Sequence, residues 1–299
     1  QAVPTHRRPT LPVFCGITRR GPLDRPMRVT SEQRFTEIFG TFVDRGYLGP
    51  AVRGFFRNGG EECHVLRVAR TEGAADEDVA RVASRSLLDV AGARSLRIEA
   101  QDPGSWGNLL RVTVAHSPVV ETFLTRDAAA GESALLVKSA HGLQPGIIVR
   151  LHDGPRSFWT TVTRVLGKQI HLASPLDAPF ASAAPSYLSA HSFDLEISDP
   201  DRRERFAGLS LAGRSPRFVE RVVNEQSRLV KVTLLGSDTG AAQALPVPLS
   251  ELELQGGGDG LSDLAPEDFI GYDRGPGARR GLIGLVDAPG FDLVAVPDL

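Results

Sequence analysis

The chain has 299 residues, with 34 Lys+Arg against 36 Asp+Glu, a formal charge of −2, 41% hydrophobic residues and 2 Cys. A chain of this length buries roughly three quarters of its unfolded surface, so its core requires no disulfide framework or metal, and about two domains are expected. No window approaches the roughly 18 to 20 apolar residues of a membrane helix, and Gln1 to Arg8 contain no signal-peptide apolar stretch.

The near-neutral total conceals an uneven distribution. Residues 1–60 hold ten Arg and four acids (+6), whereas 251–299 hold three Arg and ten acids (−7). The cations are 31 Arg and 3 Lys spread along the chain, unlike the Lys-containing basic face of a nucleic-acid binder. Arg suits forked contacts to carboxylates, so the split fits contact between copies. Solvated faces are the simpler account.

Pro12 to Thr18 is a short apolar run closed by Arg19-Arg20-Gly21-Pro22, a buried strand followed by a turn. Thr30 and Gln33 fit a capping box ahead of Phe35, Ile38 and Phe39 at helical spacing. Leu48, Ala51, Val52, Phe55 and Phe56 predict a second helix, which Gly59-Gly60 stops. Cys63 to Ala69 reads as another buried strand, completing the grammar of a parallel βαβ unit. Cys15 and Cys63 read as small core residues, natural to a reducing compartment.

Asp76 can cap a helix carrying Val79, Ala80, Val82, Ala83, Leu87 and Leu88. Strands at 95–99 and 109–115 flank Asp102-Pro103-Gly104-Ser105-Trp106-Gly107-Asn108, a turn of residues that tolerate unusual backbone angles. Short β-like runs then follow at 134–137, 147–151, 159–165 and 170–172, separated by Gly/Pro/Asp turns. Phe193 to Ile197 returns to the style of the strands at 95–115. The expected fold is therefore an α/β host domain, a mixed sheet with covering helices at 1–116 plus 193–299, interrupted by a small all-β, barrel-like module at 117–192; overall the class is α+β.

Ser215 as N-cap and Pro216 at the first position predict a helix with Phe218, Val219, Val222 and Val223 on its apolar stripe. Val230 to Leu235 reads as a strand, and Gln255 to Leu261 as a Gly/Asp-rich turn. Leu293 to Leu299 has the composition of a central parallel strand without its crossover element, so the chain is expected to stop inside a domain.

Chemistry-bearing patterns are scarce. No two of the seven His (6, 64, 116, 141, 152, 171, 191) lie within five residues, and neither HExxH nor CxxC occurs, so no metal and no cofactor are expected. Gly208-Leu209-Ser210-Leu211-Ala212 lacks the second Gly of a nucleophile elbow, so no catalytic residue is assigned and the protein is not expected to be an enzyme. Neither Gly107-Asn108 nor Gly256 to Gly260 matches a phosphate-binding loop, and both read as turns.

Taken in order, these stretches resemble the contractile tail sheath proteins of phages and related injection systems. The matching residues are Pro12 to Gly16, Arg20-Gly21-Pro22, Val29-Thr30-Ser31, Tyr47 to Gly60, Asp102 to Asn108, Glu204 to Ser210, Val223 to Ser227, Gly256 to Leu261 and Asp268 to Gly271. The resemblance spans about 12–116 and 193–299. The family's N-terminal arm, with its serine-proline-glycine-valine-tyrosine type motif, and its C-terminal regions have no counterpart, so the resemblance implies that the chain is the middle of such a protein.

The resemblance implies a structural subunit that polymerises helically around an inner tube and contracts, without catalysis. Its partners would be other sheath subunits, the inner tube protein, the baseplate and the tail terminator, with no nucleic acid and no direct membrane insertion. Its place would be a virion tail or contractile particle assembled in the bacterial cytoplasm. Structural roles are carried over to Gly54, Phe55, Gly59, Gly60, Pro103, Gly104, Trp106, Gly107, Asn108, Asn224, Gly257, Asp259 and Gly260, and Arg19, Arg20 and Arg25 are candidate subunit contacts. The alternative is a receptor- or carbohydrate-binding particle protein using the inserted module, with Phe158, Trp159 and Tyr187 as its aromatic candidates.

Overall fold

The computed structural model describes residues 10–73, 78–89, 92–183, 186–235, 245–288 and 290–299, with backbone alone at 117–119. In chain order its elements are β1 (Pro12–Gly16), β2 (Met27–Val29), α1 (Glu32–Phe39), α2 (Leu48–Arg57), β3 (Cys63–Arg67), β4 (Ser84–Leu88), β5 (Arg94–Ala100), β6 (Arg111–Phe123), β7 (Ala134–Leu136), β8 (Ile148–His152), β9 (Ser157–Leu166), β10 (Gln169–Leu172), β11 (Tyr187–Ser198), β12 (Arg203–Leu209), α3 (Val219–Gln226), β13 (Val230–Leu234), β14 (Leu249–Glu253), α4 (Pro266–Ile270) and β15 (Leu293–Ala295). The class is α+β, mostly sheet with few helices. The chain divides into two compact units, one of residues 1–83, 101–108 and 255–299 and one of 84–100 and 109–254.

The first unit contains a four-stranded sheet in the order β15-β1-β3-β2. β1 pairs parallel with both β3 and β15, as a βαβ grammar requires, and β2 pairs antiparallel with β3. On one side Phe35, Phe39, Leu48 and Val52 of α1 and α2 pack with Val29, Cys63 and Val65. Each such fully buried side chain contributes about 1.5 to 3 kcal/mol. Burial pushes both the Cys15 and the Cys63 thiol up to about 12, aided by Asp298 and Asp24 at Cys15 and by Glu62 at Cys63. Both are therefore unreactive core groups.

Four sequence expectations need correction. The α1 cap is Ser31, whose hydroxyl accepts the Arg34 N–H at 3.0 Å, so the capping register lies one residue beyond Thr30. The helix expected over 79–88 does not form, and its cap Asp76 lies outside the described residues. The Ala80 and Arg81 N–H groups donate instead to the carbonyls of Arg70 and Gly258, and 84–88 pairs antiparallel with β5. Long-range pairing outweighs an apolar spacing that suited a helix.

The helix expected to begin at Pro216 begins at Val219. Ser215 to Phe218 form a turn in which the Ser215 hydroxyl accepts the Arg217 N–H at 3.1 Å, and the Val219 N–H donates to Ser210. β15 is parallel but lies at the sheet edge, with Leu293 and Val294 exposed. Its successor Asp298 turns back, accepting N–H bonds from Ile17 at 2.8 Å and from Tyr47 and Leu48 at 2.5 and 3.2 Å, at the start of α2.

The second unit holds a three-stranded sheet, β13-β5-β4, and an eight-stranded one in the order β14-β6-β11-β8-β9-β10-β7, with β12 on β11. The β-runs expected at 134–172 are present as β7 to β10. β6 and β11 pair over their whole lengths, so positions 116/117 and 192/193 fall inside continuous strands. Among the described residues the named strands of this sheet form an open path from β14 to β7.

Candidate functional site

In the first unit, the glycine-rich turns that stand out in the sequence meet at one place. Gly104 has φ +144°, and a Cβ there would sit 2.5 Å from the Trp106 ring and 2.7 Å from the Arg19 carbonyl, so only glycine makes this turn. The Gly107 N–H donates back to the Gly104 carbonyl at 3.2 Å, opening a short 3-10 turn over Ser105–Leu109. Asp259 caps that turn, its carboxylate accepting the Ser105 N–H and hydroxyl at 2.7 Å each.

Asn108 makes a reciprocal pair with Gly257. Its Nδ2 donates to the Gly257 carbonyl at 3.0 Å, and its Oδ1 accepts the Gly257 N–H at 2.8 Å. A side-chain amide thus stands in for one rung of a strand ladder. Gly258 pairs antiparallel with Arg81, and Gly260, at φ +63°, leaves no room for a Cβ, which would lie 2.5 Å from the Ala80 nitrogen and the Arg70 oxygen. Asp78 accepts the N–H groups of Gly260, Leu261 and Ser262 at 3.0 to 3.1 Å. Burial raises its proton affinity, but these donors outweigh burial and hold its carboxyl below the usual range.

Arg67 underlies the junction and is the residue that sequence reasoning missed. It is 0% exposed, and its Nη1 donates to the carbonyls of Gly21 at 2.7 Å and Pro103 at 2.8 Å. Burial pushes the guanidinium down to about 10, opposed by Asp102, Asp259 and Asp24. The available signal was a lone Arg inside the apolar run Cys63 to Ala69. Arg is almost never fully buried without a partner, so this break in the run points to a specific role.

Phe55, Gly59, Gly60 and Asn224 lie apart from the junction. Phe55 packs into the α1/α2 core, edge-on to Phe14 at 5.7 Å, and a Cβ on Gly60 would strike its ring at 2.4 Å. Gly59 has φ +89° beyond the α2 end. In the second unit Asn224 repeats the Asn108 device, its amide donating to the Val232 carbonyl at 2.9 Å and accepting its N–H at 2.7 Å. Arg20 points its guanidinium at the Thr36 and Glu37 carbonyls near the end of α1 and lies over the Trp106 ring at 5.7 Å, and the Arg19 Nη1 donates to the Thr41 hydroxyl at 3.2 Å. Arg19 and Arg25 are exposed, Arg25 on the rim of a cavity of about 520 Å³ with Asp24, Tyr272 and Arg280.

At Gly54 and Gly59 a Cβ would meet nothing within 4 Å, but only Gly54 lies inside α2 and lacks a positive φ. Glycine inside a helix costs about 0.5 to 1 kcal/mol relative to alanine, so Gly54→Ala should raise stability by that amount in urea unfolding. A loss of stability would mean that α2 does need this glycine.

At the junction Asp78, Asn108 and Asp259 all act on backbone groups, so the arrangement fixes chain geometry. Among the described residues no group of three His, Cys, Asp or Glu side chains could hold a metal ion, and no helix is long and apolar enough to cross a membrane.

No family model matches this chain, and no curated protein matches it. Among solved structures it is similar to a sheath tail protein from Listeria innocua, at 12% identity over 60% of this chain and 37% of that one, with a TM-score of 0.25. It is also similar to a sheath tail protein from Desulfitobacterium hafniense, at 10% identity over 62% of this chain and 39% of that one, with a TM-score of 0.24. The chain spans well under half the length of either structure.

Proposed function

We propose that the protein is a structural subunit of a contractile sheath, polymerising helically around an inner tube and contracting without catalysis. The observation that carries this reading is the junction itself. Motifs separated by about 150 positions in the sequence, at 102–108 and 255–261, resemble those of the sheath family and serve one another's backbone through Asn108, Asp259 and Gly257. A subunit that transmits force by rigid rotation requires such a scaffold and no reactive group.

The partners in this reading are other sheath subunits, the inner tube, the baseplate and the tail terminator, within a virion tail or related particle. Residues 117–192 are its inserted module. A core drawn only from residues 124–190, including Leu124, Val149, Phe180 and Leu188, supports treating them as a unit. The isolated bridge Leu124↔Val137, which brings the β7 end back beside β6, supports a barrel-like closure.

Arg19, Arg20 and Arg25 are the candidate subunit contacts, of which Arg19 and Arg25 are the exposed pair. Reversing both to Glu in the full-length protein should leave thermal unfolding within about 0.5 kcal/mol of wild type. It should also abolish tubes in negative-stain images at low salt, because exposed interface charges act through fields that salt screens. Tubes of normal length and number from the doubly reversed protein would remove these residues from the interface. Full-length protein that forms no tubes under any condition would overturn the sheath reading.

A further inference from the structure

The second unit carries a cluster that the scaffold role does not use. Three adjacent strands place Tyr187 (β11) opposite His152 (β8), and Arg150 (β8) opposite Trp159 (β9). The Tyr187 and His152 rings stack at 5.7 Å, the Arg150 guanidinium lies over the Trp159 ring at 5.6 Å, and the His191 ring lies 4.9 Å from it. Tyr187 is 37% exposed, and Trp159, Arg150, His152 and His191 are each partly exposed. Phe158, the neighbouring aromatic candidate, packs against the module core instead.

Two features of this face ask for a partner. The Arg150 Nε and His191 Nε2 atoms are buried with no hydrogen-bond partner among the described residues, and buried polar groups left unpaired cost about 1 to 3 kcal/mol each. The charge is also one-sided. Burial, then His116, Arg150 and His152, all lower the proton affinity of His191, and no carboxylate offsets them. Glu121 of β6 stands across from Ser189 and is exposed. The face thus combines two aromatic rings, which suit the apolar faces of a sugar ring, with the Arg150 guanidinium, which has no carboxylate partner among the described residues.

We propose that Tyr187, His152, Arg150, Trp159 and His191 form a binding platform for acidic saccharides, sugars that carry a carboxylate. The aromatic rings stack against pyranose faces while Arg150, with His191 beside it, takes the carboxylate. This site is independent of the sheath reading.

The test titrates the protein with tetragalacturonic acid and with sialyllactose, using galactotetraose and lactose as the neutral counterparts, followed by calorimetry and tryptophan fluorescence. Expected is saturable binding of at least one acidic saccharide, at least about tenfold tighter than its neutral counterpart, and weakened about tenfold or more in both Trp159→Ala and Arg150→Gln. Tyr187→Ala, at a more exposed position, provides a further variant should Trp159→Ala fold poorly. No saturable binding of either acidic saccharide up to about 10 mM, equal affinity for the neutral sugars, or acidic binding unchanged in the folded variants would each overturn the proposal.

Discussion

Arg67→Ala is expected to destabilise the first unit by about 3 to 5 kcal/mol. The substitution deprives the Gly21 and Pro103 carbonyls of their shared donor, and each orphaned buried acceptor costs about 1 to 3 kcal/mol. It also opens a cavity the size of a long side chain beneath the Asp102 to Asn108 turn. Release of the guanidinium's own burial cost offsets part of this, which is why the sum of the losses is not the prediction. Arg67→Met separates the contributions, since it refills most of the volume, removes the charge and still leaves both carbonyls unpaired. It should lose roughly half as much as alanine. Urea unfolding of both variants measures the difference. A loss below about 1 kcal/mol for Arg67→Ala would show that the turn is held by Asn108 and Asp259 alone.

Gly257→Ala is expected to cost at least about 3 kcal/mol, the range reached when close packing cannot relax. The added Cβ would lie 2.4 Å from the Gly104 carbonyl oxygen and 3.1 Å from both Asn108 Oδ1 and the Ala83 Cβ. The first of these is backbone, so relief requires breaking either the Asn108 pair or the Gly104 turn. Asn108→Ala in the same background makes a double-mutant cycle, and the two changes should be strongly non-additive because they break the same rung. Additive losses would show that Gly257 and Asn108 act separately. The contrast with Gly54→Ala is part of the expectation, since the two glycines look alike in the sequence and the structure gives only one of them a steric reason.

Much of the fold was legible because its signals were local. The α2 stripe from Leu48 to Phe56, its glycine stop and the parallel β1/β3 pair follow from periodicity and turn chemistry alone. So do the short strands of the second unit. What escaped depended on distant partners. The segment 78–83 has apolar residues at helical spacing, but its N–H and C=O groups face Arg70 and the Gly258 loop, about 180 positions away at the far end. β15 is as apolar as a central strand, yet it lies at the sheet edge.

The junction was half legible. Gly104, Asn108, Gly257 and Asp259 stood out as turn residues, but nothing in either segment says that Asn108 reads the Gly257 backbone. Arg67 was hidden in the opposite way, inside a run whose neighbours all announce a core strand. The charge split along the chain was legible to the same degree. It marks the Arg-rich end, while only the structure shows that Arg20 is half-buried against the end of α1 and Trp106 and that Arg19 and Arg25 are exposed.

The most direct test of the proposed sheath role is electron cryo-microscopy of assemblies isolated from cells that produce this protein. Many helically related copies around a tube are expected, with the Asn108–Gly257 and Asp259–Ser105 bonds intact in both extended and contracted states, because the junction moves as a rigid part. A chain found in only a few copies at one end of the particle, or a junction that opens between the two states, would contradict that role.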